Sequence, residues 1–400
     1  MLLKIIYRNL AHKPLGAALS VALLALSTGI ISMLLLLQSQ LEQKFERDLK
    51  DIDLVVGAKG SPLQLVLSAV YHVDAPTGNI PLEEVEKLRK MRSISGITPL
   101  AYGDSYQRFR ILGTDTTFIS RYGGKLKSGR LFKQPLEAVI GATVAENTGL
   151  QAGQTFFSTH GDVAEGEQHD HAGYVVTGIL ERSNTVLDNL LLTEVASVWS
   201  IHEEGHEDHD HDHDHARDTI PREITAALVK ARSVHSAMTL PMMINESTGM
   251  QAASPALEIN RLMKMLGIGV TALQTLALGI MLISGFSVFI ALYNRLRERK
   301  YELALMRSMG CSRLRLFWML LSEGMLLAVT GFAGGVLLSR LGLWILNTGA
   351  AREFHFVFRY EPVQAELWLL GITVLVGAVA ALVPAISAFR MNLSRALADA

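Results

Sequence analysis

Thirteen histidines stand in this 400-residue chain, and nine of them fall between His160 and His215. Two runs carry them. "THGDVAEGEQHDH" holds His160, His169 and His171, and "IHEEGHEDHDHDHDHARD" holds His202, His206, His209, His211, His213 and His215. Imidazole suits Zn²⁺, Ni²⁺ and Cu²⁺, and the interleaved carboxylates ease the gathering of a dication. In an extended run, alternation puts His209, His211, His213 and His215 on one face. Such a tract offers many overlapping, exchangeable sites, whereas a closed structural zinc site wants four fixed ligands. The plain alternative is a solvated, acidic, low-complexity loop, disordered without a ligand. A strand and a short helical stretch separate the two runs, so a hairpin-like excursion would bring them together. Affinity should fall as pH drops through about 6.5, where imidazole protonates. His12, His72, His235 and His355 are isolated and read as ordinary packing or surface residues.

Other chemistry is sparse. The outer segment is read as carrying no H-E-x-x-H, no G-x-S-x-G and no clustered acidic pair, so no catalytic arrangement is expected there. No phosphate-binding G-x-x-x-x-G-K-[ST] occurs, and "GGKLKS" at Gly123 has the wrong spacing. The net charge of −1 names no partner. Without a basic domain or aromatic–basic interleaving, nucleic acid is disfavoured. Cys311 is the only cysteine, which excludes an intrachain disulfide.

The elements that must position these residues are set by apolar runs. Mean hydropathy is +0.27, with 49% hydrophobic and 19% charged residues. The apolar residues concentrate in four blocks, 15–37, 266–293, 316–339 and 367–389, each long enough to cross about 30 Å of hydrocarbon. The first exceeds a signal-peptide core and lacks a clear cleavage site, so it reads as an uncleaved anchor. Basic residues orient the set. Lys4, Arg8 and Lys13 precede the first block. Arg295 through Arg315 lie between the second and third, and Arg390 and Arg395 follow the fourth. All three groups are expected inside. The expected fold class is thus an α-helical membrane protein with four transmembrane helices and a large α+β extracytoplasmic domain between the first and second.

Residues 1–14 have amphipathic spacing and are expected to lie on the inner membrane face. Residues 38–264 form the outer domain, with the histidine-rich insertions at 160–171 and 202–215. Residues 294–315 form an inner connection, 340–366 an outer loop and 390–400 an inner tail. Within the outer domain, "LEEVEKLRKM" has helical spacing with Pro81 at its first turn. "YQRFRILGT", "GYVVTGIL" and "ITAALVKAR" read as strands. "LEAVIGATVAENTGLQAGQTF" reads as strand, helix, then a turn at Gly149 to Gly153.

The inner connection is the unusual piece. Leu303, Leu305, Met306 and Met309 give a short helix from about Arg297 to Met309 an apolar stripe among charges. Gly310 is placed to end it, and Ser312 to cap the next. That combination suits docking on a soluble protein; a basic surface loop that only sets topology is the simpler reading. The stretch "LYNRLRERKYELALMRSMGCSRLRLFWMLLSEGMLLAVTGFAGG" resembles the signature of the FtsX/MacB-like ABC transporter permeases, the type VII or mechanotransmission family. Glu298, Arg299, Glu302, Leu303, Leu305, Arg307, Gly310 and Ser312 match its first part. Glu323-Gly324 and Gly331, Gly334 and Gly335 match its second. "LVPAISAFRMNLSRALADA" resembles the family ending, and the outer domain looks like a MacB-type periplasmic core. Departures are Asn392 where proline is common, Ala304 where glycine is common, and the histidine-rich insertions.

The resemblance implies that Glu298, Arg299, Glu302, Leu305, Arg307, Gly310 and Ser312 belong to a coupling helix seated in a groove of a cytoplasmic ABC ATPase. It implies two ATPase copies and a second permease copy or a related permease. A periplasmic lipoprotein or adaptor partner is a further expectation, in a bacterial inner membrane. ATP would act only through the partner, and this subunit would not itself be an enzyme. No intrinsic cofactor is expected, with Zn²⁺ or another divalent transition metal at the histidine-rich loops. The helices agree, because Glu323 and Arg340 are the ionisable residues of the third and the others carry no charge; that suits a lever better than a hydrophilic pore. Glu323 reads as a paired structural residue. Gly331 and Gly335 would let the third helix approach another closely, within the chain or across a dimer. Export, extraction or release of a substrate is the expected task, with a metal-sensing receptor as the alternative.

Overall fold

The computed structural model describes residues 14–49, 51–159, 173–204, 222–348 and 358–390. The chain divides into a helical unit, Met1–Leu41 with Met265–Ala400, and a mixed unit, Glu42–Lys264. The expected helix at 1–13, the tail from 391 and both main histidine runs from His160 and His206 lie outside the described residues.

Helix α1 (Pro14–Asp48) is the first described element. The mixed unit then alternates short strands and helices: β1 (Leu54–Ala58), α2 (Pro62–Tyr71), β2 (Ile80–Pro81), α3 (Leu82–Arg89), β3 (Ile94–Tyr106), β4 (Phe109–Thr114), α4 (Thr116–Arg121), β5 (Leu126–Gly129) and β6 (Glu137–Ile140). There follow α5 (Ala142–Thr148), β7 (Thr155–Phe156), β8 (Tyr174–Leu180), a 3₁₀ turn (Val186–Asn189), β9 (Leu190–Glu194), α6 (Val195–Glu204), β10 (Glu223–Ile224), β11 (Ala226–Ala231), α7 (Val234–Ser247) and β12 (Met250–Ala253). Ten strands make one sheet, ordered β12-β1-β11-β3-β4-β9-β6-β8-β5 with β7 beside β8. Only β4–β9 and β6–β8 pair in parallel among the described strands. Helices cover both faces. Successive side chains of a strand point to opposite sides. Val55 and Leu228 therefore join α2 and α4 through Leu65, Val66 and Phe118. Leu54, Val56, Ala227 and Val229 join α3, α6 and α7 through Leu88, Val198, Leu240 and Ile244.

Two expectations shift. "YQRFRILGT" is not one strand: Tyr106 ends β3 and Phe109 starts β4, with Gln107 at φ 55 turning the hairpin. Pro81 ends β2 and stands just before α3, not within its first turn.

The helical unit continues with α8 (Pro255–Glu298), α9 (Lys300–Ser308), α10 (Arg313–Thr348) and α11 (Gln364–Phe389). Among the described residues, α1, α8, α10 and α11 are long and apolar enough to cross a membrane. α10 runs past the expected 339 boundary, so the first part of the expected outer loop is helix. Hydrocarbon offers polar groups no water, so they must bond internally. The Thr28 and Ser27 hydroxyls of α1 donate to the Leu24 carbonyl at 2.6 and 3.0 Å, and Ser20 Oγ lies 2.9 Å from Ser287 Oγ on α8.

Helix α10 packs tightly on α1. A Cβ at Gly335 would collide with Thr28 Oγ1 and sit 2.9 Å from the Ala25 carbonyl oxygen, and one at Gly331 would sit 2.6 Å from Leu24 Cβ. The paired glycines therefore serve a contact within the chain. Two ion pairs hold α10 elsewhere. Arg295 of α8 meets Glu323 at 2.6 Å, with side chains 12% and 4% exposed. Arg340 donates from both terminal nitrogens to the two oxygens of Glu366 on α11, each at 2.9 Å. Ser32 of α1 adds a third bond to that carboxylate at 2.5 Å.

Candidate functional site

Helix α9 is a short elbow between two long apolar helices. α8 stops at Glu298 because Arg299 leaves helical geometry, at φ −103 and ψ 14. Glu298 is thus the last residue of α8, Arg299 forms the break, and the elbow helix starts at Lys300, later than the expected Arg297. Arg299 Nε donates to Glu302 Oε2 at 2.8 Å across the break. The far end closes as a two-bond C-terminal cap. Gly310 takes φ 94, Cys311 N–H donates to the Met306 carbonyl at 3.0 Å, and Gly310 N–H donates to that of Arg307 at 3.1 Å. Only glycine enters that left-handed region at low cost. Ser312 then caps α10, its Oγ accepting from Arg315 N–H at 3.4 Å.

The elbow has two faces rather than one stripe. Leu303 is buried with Leu296 of α8, Leu316, Met319 and Leu320 of α10, and Ala385 and Ala388 of α11, and Met306 packs against the same cluster; Ala304 is buried too. Leu305 and Met309, one turn apart, point outward with 44% and 73% exposure. Tyr301 and Leu314 are also exposed. The sequence reading did not separate these faces, although the i, i+4 spacing of Leu305 and Met309 against Leu303 and Met306 carries the signal. The Arg295–Glu323 pair lies within one turn of the end of α8 and ties it to α10. The elbow is therefore braced on three helices while its outer face stays open. Glu302, Leu305, Arg307, Gly310 and Ser312 all fall on it or its closing turn.

The metal candidates lie elsewhere. His160, His169, His171, His206, His209, His211, His213 and His215 are outside the described residues, and His202 is described only as a backbone position at the end of α6. Among the described residues, no group of three or more His, Cys, Asp or Glu is placed to hold a metal. One expectation is corrected: H-E-x-x-H is present, since His202 to His206 reads H-E-E-G-H. That motif needs a helix presenting both histidines on one face. Here α6 is described only to Glu204, and a tract dense in His and acidic residues meets the spacing readily.

The mixed unit holds an open cleft of about 560 Å³, lined among others by Arg89, Asp115, Lys133, Glu194, Trp199 and Arg222. Asp115 caps α4 through Thr117 N–H at 2.9 Å, and Glu86 pairs with Arg89 at 3.1 Å. His72 is a packing residue, its Nδ1 2.5 Å from the Tyr102 hydroxyl. Burial, with Arg110 nearby, pushes its pKa down to about 3, so it stays neutral.

Comparison with known proteins gives two family matches. Residues 275–394 match the FtsX-like permease C-terminal family, and residues 15–237, more than half the chain, match the MacB-like periplasmic core domain. An uncharacterized ABC transporter permease protein of Mycobacterium tuberculosis is 24% identical over 313 residues, 73% of this chain. The chain spans about a third of the length of that relative, 33%. Among solved structures, the periplasmic region of MacB from Actinobacillus actinomycetemcomitans aligns at 13% identity and TM-score 0.36, covering 55% of this chain and 98% of that one. The extracellular domain of the noncanonic ABC-type transporter YknZ from Gram-positive bacteria aligns at 12% and 0.32, covering 50% and 99%.

Proposed function

The chain belongs to the FtsX-like permeases that carry a MacB-like periplasmic core domain, and on that premise we propose that it is the membrane subunit of an ABC transporter, handing ATP-driven motion from a separate ATPase to its outer domain. The braced elbow carries this reading. A push on Leu305 and Met309 moves α9, and the cluster around Leu303 passes the displacement to α8, α10 and α11 together. Packed interiors transmit such a shift because they are dense and barely compressible. The elbow faces the cytoplasm, both termini lie inside, and the mixed unit lies outside. The subunit is non-catalytic. It works with a second copy or a related permease, each engaging one ATPase; the mass of the solubilised complex reads the copy number. The task is export, extraction or release of a substrate.

The direct test uses the tagged full chain and the ATPase that copurifies with it. Leu305→Asp with Met309→Asp puts charge into the docking face and leaves the buried face intact. Loss of an apolar anchor at an interface centre costs about 2 kcal/mol or more, so retained ATPase should fall by about tenfold or more. Unchanged copurification and unchanged chain-dependent ATP hydrolysis would reject the elbow as the docking element.

A metal role at the histidine-rich segments belongs to the same proposal, supported by the density of imidazole and carboxylate there. Removing residues 203–215 should strip most bound Zn²⁺ from the purified chain, and equal zinc content in the shortened protein would refute it.

A further inference from the structure

The last turns of α1 belong to the mixed unit, which begins at Glu42. Phe45 meets the Tyr71 ring of α2 edge-on at 4.9 Å, the Tyr71 hydroxyl donates to the Phe45 carbonyl at 3.3 Å, and Leu49 packs against the same core. Between them Asp48 is fully buried, and both of its carboxylate oxygens lack a hydrogen-bond partner among the described residues. Asp188 offers it none, because its own oxygens accept from Ser183 N–H and Oγ at 2.8 and 2.9 Å and from Asn184 N–H at 2.7 Å. The charged groups that act on Asp48 are Lys44 and Arg47 on α1 and Asp188 on the 3₁₀ turn, and its own charge acts on Tyr71 and Tyr122. A buried carboxyl without hydrogen bonds is tolerated as the neutral acid and resisted as the anion. The segment that carries it is lightly held on its other sides: Glu42, Gln43 and Arg47 are exposed, and Leu49 is only partly buried.

We propose that the last two turns of α1, 42–49, form a pH-sensitive latch on the mixed unit, closed while Asp48 is protonated and loosened when it ionises. Helix ends with few buried contacts open locally before the fold around them does. Opening takes Asp48 into water, where its carboxyl returns to the ordinary 3.8; inside, burial lifts it to about 6. Below 3.8 the acid is protonated whether the latch is open or closed, and pH changes nothing. Between 3.8 and about 6 the open form ionises first, so opening becomes easier as pH rises. Above that window both forms are ionised, and opening is about 100-fold easier than in strong acid. α1 also packs tightly on Gly331 and Gly335 of α10. On the proposed topology the mixed unit meets the outer medium, so acid there fastens the outer domain to the lever and neutral pH slackens it. The latch itself is read from the mixed unit alone, and it stands or falls apart from the elbow.

The test is hydrogen–deuterium exchange on the full chain in nanodiscs, corrected for the intrinsic pH dependence of amide exchange. Residues 42–49 should be less protected than the central strand β11, because they open without unfolding the unit. In the parent their opening should rise about tenfold between about pH 5 and about pH 7.5. In Asp48→Asn, which keeps the neutral shape at every pH, it should stay flat. At the higher pH the variant should be the better protected of the two in this segment. A segment as well protected as β11 would overturn the proposal, because it would open only with the whole unit. So would unchanged opening in the parent, or the same rise in Asp48→Asn.

Discussion

Arg340→Met destabilises the helical unit by about 3–5 kcal/mol, the cost of leaving one member of a buried ion pair uncompensated. Glu366 is 5% exposed and, among the described residues, keeps only Ser32 Oγ and the Val363 N–H, at 2.5 and 3.3 Å, once both guanidinium bonds are gone. Replacing both partners with apolar residues of similar volume is commonly neutral or stabilising. Arg340→Met with Glu366→Met therefore recovers most of the loss. Unfolding in mixed SDS micelles measures both variants. A single variant as stable as the parent, or a double variant as weak as the single, contradicts the assignment. The pair matters mechanically because it binds α10 to α11 and, through Ser32, to α1. The Arg295–Glu323 pair binds α10 to α8 about 25 Å away along the same helix, at about 1.5 Å per residue. In the lever proposed above, α10 gripped at both ends would move as one body.

Asp48→Asn stabilises the mixed unit at neutral pH, by about 3 kcal/mol. Asp48 is fully buried, and neither carboxylate oxygen has a hydrogen-bond partner among the described residues. Its pKa is raised from 3.8 to about 6, first by burial; Asp188 adds to the rise, while Lys44 and Arg47 oppose it. Burial raises the Tyr71 and Tyr122 pKa values, and the Asp48 charge adds to that rise. A raised carboxyl pKa means that the fold prefers the protonated acid. Below 3.8 both states are protonated and nothing is lost. As pH rises toward about 6 the unfolded chain ionises first, and stability drains away. The full penalty holds above that window. Asparagine keeps the neutral shape, so the gain should be largest near about pH 7.5 and vanish below about pH 4. A gain independent of pH, or a loss at pH 7.5, would show that Asp48 is not held in this way.

The four crossing helices were legible because length and apolar composition alone specify them. Gly310 and Ser312 were legible for a similar reason: a left-handed cap and a helix cap each demand a particular residue type. The start of the elbow was not. Nothing like Gly or Pro marks Arg299, and "RLRERKYELALM" reads as continuous helix, so Glu298 was placed in the elbow although it closes α8. The hairpin at Gln107 was missed because glutamine rarely takes positive φ and carries no turn signal. The partner of Arg340 was invisible because Glu366 lies 26 residues on, in a different helix. Sheet order was equally hidden: β4 and β9 are neighbours across much of the domain, and local patterning cannot say so.

The most direct measurement is the sidedness of the elbow. In a Cys311→Ser background the chain has no cysteine, and Met309→Cys adds one at an exposed position on the proposed docking face. A membrane-impermeant maleimide should label it in inverted vesicles and leave it untouched in intact spheroplasts, and bound ATPase should protect it. Labelling from the outside of intact cells would place the elbow away from ATP and contradict the account.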